Sequence, residues 1–433
     1  MISKRILLIS LRSPFLDNDR IYPPLGLLYL ATYITQAGHE VDIEDAFADL
    51  ENQRIKDYSN YDVIGVSIMT PQKTRAREIL KKLKNLETNK KQIFVAGGPH
   101  AHFYTSDIEK EGWDHIVRGD GEKPLLEIVE NRTTEKILFN PLTKKEYNEL
   151  PVLNRIKFKD FLRGYIHTFG EIGRKATTFL TGKGCPMSCT FCENARTSIR
   201  RTPIEKAKLE FDEIQKLGFN ALYIIDDLFT ISKENVRPYA EELKKRGIIY
   251  KCNGHARFMN PEFADLLKDT GCIEIGFGVE SGSQKILNNI NKQTTVQQCY
   301  EFVKLMKERG IRVRGFFMLG LPGETYETIK ETEEFIKKSG LDDFQITVYA
   351  PYRGTTIRDN IDKGVLEEDI FIEGEPLLYA SKGGGSESKI RTSALSSEEI
   401  LNERNRIVET YKPASHKIGR DDPEFFNTKI NNN

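Results

Sequence analysis

The sequence predicts an α/β protein: a doubly wound parallel (Rossmann-like) sheet at the N-terminus, then a partial (β/α)6 TIM-type barrel and a small helical C-terminal tail. Three observations predict this fold. Apolar segments alternate with amphipathic helical segments at the start of the chain, the alternation begins again near residue 176, and polar residues follow the apolar segments. Such alternation is typical of parallel sheets with right-handed crossovers. We expect four parts, with boundaries at 1–140, 141–175 (a linker), 176–360 (the barrel) and 361–433 (the tail).

The first sheet is predicted from short apolar segments. The first of them, KRILLISL at 4–11, is a continuous apolar run that suits a strand buried on both faces. Further strands are predicted at 41–45, 62–68, 93–98 and 115–119, with helices ending near residue 37 and covering 73–86. Gly38 suits the C-cap of the first helix. Residues 131–170 have mixed composition with two prolines, which indicates a linker of short irregular pieces.

The barrel is predicted from six strand–helix units. Strands are expected at 176–181, 221–225, 250–254, 272–277, 312–319 and 343–349, and the first helix at 202–217. Functional residues of parallel barrels lie at the carboxyl ends of the strands. In the tail, residues 383–385 predict a flexible break, 396–411 a helix with a serine N-cap, and 421–433 a polar end.

Composition excludes some classes of protein. Lys plus Arg and Asp plus Glu are equal at 64 each, which argues against a nucleic-acid partner because such partners are bound by phosphate neutralisation. The longest apolar run, 25–34, is too short for a transmembrane segment. No signal peptide is visible, and six cysteines, three of them clustered, do not form a secreted disulfide framework. We therefore expect a cytoplasmic protein.

Cys185, Cys189 and Cys192 form a C-x3-C-x2-C loop directly after the first predicted barrel strand. Thiolates bind soft metals, chiefly zinc and iron–sulfur clusters. Three ligands are one short of the usual four, and no other Cys or His is near in sequence. The loop therefore predicts a 4Fe–4S cluster with one open iron. A zinc site completed by a distant residue, or unligated thiols, are the alternatives.

With Phe191 before the last cysteine, this loop resembles the signature of the radical S-adenosylmethionine (SAM) superfamily. The resemblance implies that the open iron binds the amino and carboxylate groups of SAM. It also implies that the reduced cluster cleaves SAM to a 5′-deoxyadenosyl radical, with electrons from an external donor of the flavodoxin or ferredoxin type. The three cysteines would then be both the metal ligands and the catalytic centre.

Other SAM contacts are implied by position in the same family. Asp226 and Asp227 match residues that accept from the methionyl amine, and Glu280, followed by Ser281, matches the acceptor of the ribose hydroxyls. Arg257, Lys292 and Arg314 resemble partners of the SAM carboxylate. A helix N-cap pair is the alternative for the two aspartates, and ordinary ion pairs are the alternative for the three cations. The other three cysteines, Cys252, Cys272 and Cys299, are expected to be packed or surface thiols.

The loops after the first strands resemble the cobalamin-binding domain of cobalamin-dependent radical SAM enzymes. The residues that the resemblance assigns to cobalamin are Pro24, Gly26, Ser67, Thr70, Gly98, Pro99, His100 and Glu122. The D-x-H-x-x-G motif that supplies a histidine ligand to cobalt is absent from the sequence, so cobalamin is expected to bind without one. Ordinary turns, in a domain that no longer binds the cofactor, are the alternative.

The resemblance implies methylation of an unactivated carbon in a small-molecule, lipid or peptide substrate. Two alternatives remain open: a radical cyclisation, rearrangement or oxidation without methyl transfer, and a non-catalytic cobalamin or metal sensor. A tRNA methylthiotransferase is disfavoured, because the N-terminal domain has no cysteine for a second cluster.

Overall fold

A computed structural model describes residues 2–11, 22–45, 58–86, 88, 90–165, 167–169, 173–365, 369–374 and 388–413. The chain divides into two compact units. The first contains the described residues up to 178 together with Arg200–Ala221, and the second contains Phe179–Ile199 and the described residues from 222 onward. The predicted break at 383–385 and the polar end at 421–433 lie outside the described residues. The predicted domain boundaries stay predictions.

The first unit contains a six-stranded parallel sheet in the order β2-β1-β3-β4-β5-β6. Its strands are β1 (Arg5–Ser10), β2 (Glu40–Asp45), β3 (Val63–Ser67), β4 (Ile93–Gly97), β5 (His115–Gly119) and β6 (Ile137–Asn140). The five predicted strands are confirmed within two residues at each end. The sixth lies in the region predicted as an irregular linker, and its four residues are too short for a clear apolar pattern.

The helices of this unit are α1 (Leu25–Gln36), α2 (Lys73–Lys84), α3 (Pro99–Phe103), α4 (Thr105–Ile108), α5 (Glu122–Val129), α6 (Lys144–Glu149) and α7 (Lys159–Leu162). On one face of the sheet, Leu7, Ile64 and Phe94 pack with Leu80 of α2 and with Trp113. This continuous apolar core is what the continuous apolar runs of the strands predict.

A second sheet has seven strands in the order β15-β14-β13-β12-β11-β8-β7. The strands of this sheet are β7 (His167–Phe169), β8 (Arg174–Phe179), β11 (Ala221–Ile224), β12 (Ile249–Gly254), β13 (Cys272–Glu280), β14 (Arg312–Leu319) and β15 (Asp343–Val348). Two short strands, β9 (Gly182–Lys183) and β10 (Arg200–Arg201), lie outside this sheet. Strands β12 to β15 pair in parallel, and β7 adds an antiparallel edge beside β8. The half-barrel prediction is confirmed.

The helices after β8 are α8 (Ile204–Lys216), α9 (Lys233–Lys245), α10 (Pro261–Asp269), α11 (Gln284–Asn289), α12 (Val296–Glu308), α13 (Tyr326–Lys338), α14 (Thr356–Asp362) and α15 (Ser397–Tyr411). A short hairpin, β16 (Phe371–Ile372) and β17 (Ile390–Arg391), precedes α15. The predicted tail helix is confirmed: Ser396 is its N-cap, accepting from the N–H of Glu399. It packs on the edge of the half-barrel, where Arg404 donates to the carbonyl of Ile346 at 3.0 Å.

The strands of the half-barrel alternate between an outer and an inner face. Phe317 of β14 contacts Phe335 of α13 edge-on, so its face points to the helices. Arg314 and Phe316, on the other side of the same strand, therefore face inward. Among the described residues, no helix is long and apolar enough to cross a membrane.

Candidate active site

The three loop cysteines lie together just after β8. Cys189 is buried, and Cys185 and Cys192 are half-buried. They pack in one apolar cluster whose other members include Met187 and Leu228. The pKa of the Cys192 thiol is raised to about 11, mainly by burial and in part by the neighbouring Cys189 and Cys185 thiols. This mutual electrostatic effect indicates that the three sulfurs are neighbours.

Hydrogen bonds within the loop fix its shape. The N–H of Thr197 donates to the carbonyl of Cys185 at 3.0 Å, and the Thr197 hydroxyl accepts from the Cys185 N–H at 2.9 Å. The N–H of Arg196 donates to the carbonyl of Met187 at 2.7 Å. Gly184 has φ +100°, and a Cβ there would lie 2.4 Å from the Ser198 carbonyl oxygen. Only glycine fits this turn.

Other segments of the second unit hold the loop from outside. Asn291 donates from Nδ2 to both the carbonyl and the hydroxyl of Ser188, at 3.1 and 2.9 Å. The N–H of Thr190 donates to the Ile290 carbonyl at 3.0 Å, and the Thr190 carbonyl accepts from the Ile357 N–H at 3.1 Å. These hydrogen bonds anchor the cysteine loop to two distant segments of the same unit.

The donor set fits an iron–sulfur cube. Among the described residues, no three His, Cys, Asp or Glu side chains converge on a point where one metal ion could be held. In an iron–sulfur cube each thiolate binds a different iron, so the three sulfurs need to be neighbours without meeting at one ion. Cys185, Cys189 and Cys192 would hold three irons and leave the fourth open.

The two aspartates after β11 are engaged by protein donors. Asp226 is buried, and its carboxylate accepts from both the N–H and the hydroxyl of Thr181. Asp227 is exposed; it accepts from the N–H of Gly184 at 2.8 Å and from Nδ2 of Asn194 at 2.9 Å. Asp227 therefore ties both ends of the cysteine loop to the end of β11. The prediction that these residues accept from SAM is untested, and the geometry shows a second role as braces.

Glu280 and Lys292 form a buried ion pair beside the loop. Nζ of Lys292 lies 2.5 Å from Oε1 of Glu280. A Cβ on Gly278 would come within 2.0 Å of the Glu280 carboxylate and 2.7 Å of the Lys292 ammonium, so the pair lies directly over this glycine. Glu280 has φ +66°, a strained value for a residue other than glycine, at the last position of β13. Strain at a predicted ligand position is typical of functional sites.

His255 is a site residue that sequence reasoning missed. It follows β12, is 7% exposed, and accepts at Nδ1 from the Arg257 N–H at 3.2 Å. Burial lowers its pKa to about 3, with help from the charges of Lys292 and Arg257. Its Nε2 has no hydrogen-bond partner within the described residues. A buried neutral histidine carries no sequence signal beyond its place at a strand end.

Arg314 and Ser281, two of the predicted SAM residues, contact other side chains of the half-barrel. Arg314 is the third residue of β14, near its amino end, and pairs with Asp343 at 2.9 Å. Barrel sites lie at the carboxyl ends of strands, so this position does not support the prediction that Arg314 contacts SAM. The Ser281 hydroxyl is fully buried against Thr332 of α13, at 3.0 Å, and braces the strand end. Arg257 is exposed beside Phe258, which packs against the cysteine cluster.

The other three cysteines are buried, which selects the packed alternative over the surface one that the sequence left open. Sγ of Cys252 lies 4.0 Å from Sγ of Cys272, on neighbouring strands β12 and β13. Cys299 is buried on α12. All three therefore belong to the packing of the half-barrel.

In the first unit, the predicted cobalamin residues lie at the carboxyl edge of the sheet. Gly98 has φ +89°, and a Cβ there would lie 2.8 Å from the backbone N and O of Ile68 and 2.9 Å from Oγ of Ser67. The loops after β3 and β4 therefore touch backbone to backbone. Nδ1 of His100 lies 3.3 Å from Oγ1 of Thr70 and joins the same two loops.

Exposure divides the predicted cobalamin residues into two groups. Gly26 and Pro99 are exposed and Pro24 is half-buried, which suits a surface that a bulky ligand can approach. His100 is 1% exposed and Glu122 is 4% exposed, so both side chains lie below this surface and support the loops. Sequence reasoning missed Met69 beside Thr70. Its apolar side chain is 46% exposed at the same edge, which only the structure reveals.

Comparisons with known proteins agree with the candidate site in each unit. The Radical SAM superfamily model matches residues 179–336, and the B12 binding domain model matches residues 19–129. The matched regions contain the three cysteines and the loops of the first sheet, respectively. The pair of domains predicted from the sequence is thus confirmed, and with it the cofactors: a 4Fe–4S cluster, SAM and cobalamin.

Curated relatives share most of the chain. An uncharacterized methyltransferase of Pyrococcus horikoshii is 29% identical over 359 residues, covering 77% of each chain. The anaerobic magnesium-protoporphyrin IX monomethyl ester cyclase of Rubrivivax gelatinosus is 27% identical, over 76% of this chain and 65% of the relative. The cytidylyl-2-hydroxyethylphosphonate methyltransferase of Streptomyces wedmorensis is 23% identical, over 87% and 84%.

Solved structures share the fold. The radical S-adenosylmethionine methyltransferase TsrM from Kitasatospora setae, with cobalamin and an iron–sulfur cluster bound, superposes with a TM-score of 0.69 at 18% identity, over 88% of this chain and 82% of that one. The cobalamin-dependent radical enzyme OxsB, with aqua-cobalamin bound, gives 0.64 at 19% identity, over 84% and 56%. Both confirm a parallel sheet followed by a half-barrel.

Proposed function

We propose that this chain, which belongs to the radical SAM superfamily and carries a B12-binding domain, is a methyltransferase that acts on an unactivated carbon. The observation that carries the proposal is the cysteine loop: three neighbouring thiols, in a loop braced by hydrogen bonds, would hold three irons of a cluster and leave the fourth iron for SAM. The methyltransferase name of the Pyrococcus horikoshii relative supports the reaction type. When bound, the cluster, SAM and cobalamin supply the radical and methyl-transfer chemistry.

The residues of this chain bind and orient those groups. Cys185, Cys189 and Cys192 hold the cluster, and the apolar side chains around them limit access of water. Lys292 offers an ammonium to a carboxylate of SAM, and Glu280 offers an acceptor to its hydroxyl or ammonium groups. Arg257, which is exposed after β12, offers a further hydrogen-bond donor to the SAM carboxylate.

The first sheet is proposed to bind cobalamin at its carboxyl edge. Ligands of open parallel sheets bind there. The contact surface would come from Pro24, Gly26, Thr70 and Pro99, with Met69 as an added apolar contact, and from Ser67 beside Gly98. Helix α3, which follows β4, contains two histidines: His100 is 1% exposed, and His102 is half-buried with its ring stacked on Phe139. We therefore propose that cobalamin binds without a histidine ligand from this edge.

Partners and location follow from the reaction. The proposed substrate is a small molecule, lipid or peptide, and the proposed reductant is a one-electron carrier of the flavodoxin or ferredoxin type. The equal numbers of basic and acidic residues support the absence of a nucleic-acid partner. A cytoplasmic location is proposed because reduced clusters persist in a reducing compartment.

Anaerobic reconstitution of the full chain with iron, sulfide and hydroxocobalamin tests the proposal. We expect cluster and cobalamin absorbance, and 5′-deoxyadenosine when SAM and a low-potential reductant are added. Replacing all three loop cysteines with Ala should abolish the cluster and SAM cleavage. Cys272→Ala is the matched control and should keep both, because Cys272 is packed inside the half-barrel. Full 5′-deoxyadenosine production by the triple variant would refute the assignment.

The alternative reaction is a radical cyclisation or oxidation without methyl transfer. The relationship to the magnesium-protoporphyrin ester cyclase, at 27% identity over 76% of the chain, favours keeping it. SAM labelled in its methyl group separates the two reactions. Label in the product supports methyl transfer, whereas an unlabelled product formed together with 5′-deoxyadenosine supports the alternative.

A further inference from the structure

Two opposite charges are buried beside the cysteine loop. Lys292 is 5% exposed and Glu280 is 7% exposed. In such surroundings a charge acts over several ångströms, because neither water nor salt screens it well. The effect of this pair on its neighbours is therefore larger than that of a surface ion pair.

The ammonium of Lys292 is directed toward the loop. It lies 5.7 Å from the centroid of the Phe191 ring, and Phe191 directly precedes Cys192. The turn that carries Lys292 is also fixed to the loop, since Asn291 donates to Ser188 and the carbonyl of Ile290 accepts from Thr190. The position of this charge relative to the cysteines is thus set by hydrogen bonds on both sides.

Glu280 places the opposite charge beside that ammonium. Its Oε1 lies 2.5 Å from Nζ of Lys292, and both side chains are buried. A positive charge near a group favours an added negative charge on that group, and a negative charge near the group opposes it.

Lys292 and Glu280 are held as a charged pair. The hydrogen bond from Nζ of Lys292 to Oε1 of Glu280 favours the ammonium and the carboxylate together, although both side chains are buried. The ammonium is therefore a constant feature of the site.

We propose that Lys292 and Glu280 act as opposing charges that set the reduction potential of the iron–sulfur cluster. The proposal rests on the proposed function, because it requires a cluster on the three loop cysteines. Reduction adds one electron from the external carrier and makes the cluster more negative by one unit. Lys292 favours that electron and Glu280 opposes it, and net charge near a cluster is one of the factors that set its potential.

Four variants of the full chain test this role: Lys292→Met, Glu280→Gln, the double variant, and Lys285→Met as the control. Each is reconstituted anaerobically and titrated with dithionite or titanium(III) citrate without SAM, and the reduced cluster is followed by EPR. We expect Lys292→Met to lower the midpoint potential, Glu280→Gln to raise it, and the double variant to return near the wild-type value. Lys285 is exposed on α11, so its replacement should leave the potential unchanged.

Shifts in the same direction for the two single variants, or no shift in either, would overturn the proposal. If Lys292→Met does not retain a cluster, the direction of the Glu280→Gln shift decides alone: a higher potential supports the proposal and an unchanged one overturns it. The methyltransferase assignment is tested separately, because these potentials are measured without SAM, cobalamin or substrate. A wild-type chain that forms no cluster would instead refute the cysteine site itself.

Discussion

Asp227→Ala tests whether the cysteine loop is held in place before any ligand binds. The Asp227 carboxylate accepts from the Gly184 N–H at 2.8 Å and from Asn194 Nδ2 at 2.9 Å. Asp227 is exposed, so each hydrogen bond is worth about 1 kcal/mol rather than the larger value of a buried charged one. Losing both costs about 2 kcal/mol, which is roughly a 30-fold change in the balance between the ordered and the opened loop.

Asp227→Asn should cost less. An asparagine keeps one acceptor oxygen for Gly184, and the Asn194 amide can turn to meet its new NH₂ group. The remaining loss is the charge, about 1 kcal/mol, or roughly a fivefold change in the same equilibrium. Asp227→Ala should therefore favour the opened loop more strongly than Asp227→Asn does.

The assay is the rate at which an iron chelator removes the reconstituted cluster, under anaerobic conditions and without SAM. We expect about 30-fold faster loss for Asp227→Ala, since chelation proceeds through the opened loop. Asp269→Ala, which removes an exposed carboxylate at the last residue of α10, is the control and should behave as wild type. If Asp227→Ala loses iron at the wild-type rate but binds SAM more weakly, then Asp227 is a ligand of SAM and the loop-brace argument is wrong.

Three further predictions concern stability. Burial raises the pKa of Glu324 to about 7 in the folded state, above the unfolded value near 4.5. Between these two pH values the folded state binds a proton that the unfolded state has lost. The free energy of unfolding therefore falls as the pH rises from 4.5 to 7. Relative to Glu324→Gln, the wild type should lose up to about 3 kcal/mol between pH 4.5 and 7.5, which urea titrations at several pH values will show. Arg155→Met should lower the free energy of unfolding by about 3–5 kcal/mol in chemical denaturation, because the Glu210 carboxylate stays buried without its partner at 2.7 Å. Adding Glu210→Leu should recover most of this loss. A double variant as unstable as Arg155→Met would contradict this account. Gly98→Ala should lower the free energy of unfolding by about 1–3 kcal/mol, because the new Cβ would meet the Ile68 backbone at 2.8 Å. It should also reduce cobalamin retention, measured by absorbance after gel filtration. Unchanged retention would show that this loop contact is dispensable.

The sequence predicts most strands because buried parallel strands are continuous apolar runs, which are a local property of the chain. The strand at 312–319 is predicted to the residue, and the cysteine loop is recognised because its three ligands are close in sequence. Strand β6 was missed because ILFN is four residues long and only its pairing with β5 defines it. Pairing between distant segments leaves no local signal.

The roles of single polar residues are harder to predict than the fold. A polar side chain after a strand can form hydrogen bonds with a ligand or with the protein. Asp226 and Ser281 show the second case, with Thr181 and Thr332 as their partners. These partners lie 45 and 51 residues away along the chain. Arg314 is different: its place as the third residue of an eight-residue strand already puts it far from the carboxyl end. For Arg314, the position along the strand predicts its distance from the site better than the charge of the side chain does.

The buried pair of Lys292 and Glu280 also restricts what the site can bind. A ligand that separates the pair must provide a new partner for each charge, because an unpaired buried charge costs several kcal/mol. A purely cationic ligand would leave Lys292 unpaired, and a purely anionic ligand would leave Glu280 unpaired. A zwitterion such as the methionyl end of SAM, with an adjacent ribose, offers a carboxylate to one and hydroxyl or ammonium donors to the other. The pair thus favours a zwitterionic ligand before any contact with the cluster is made.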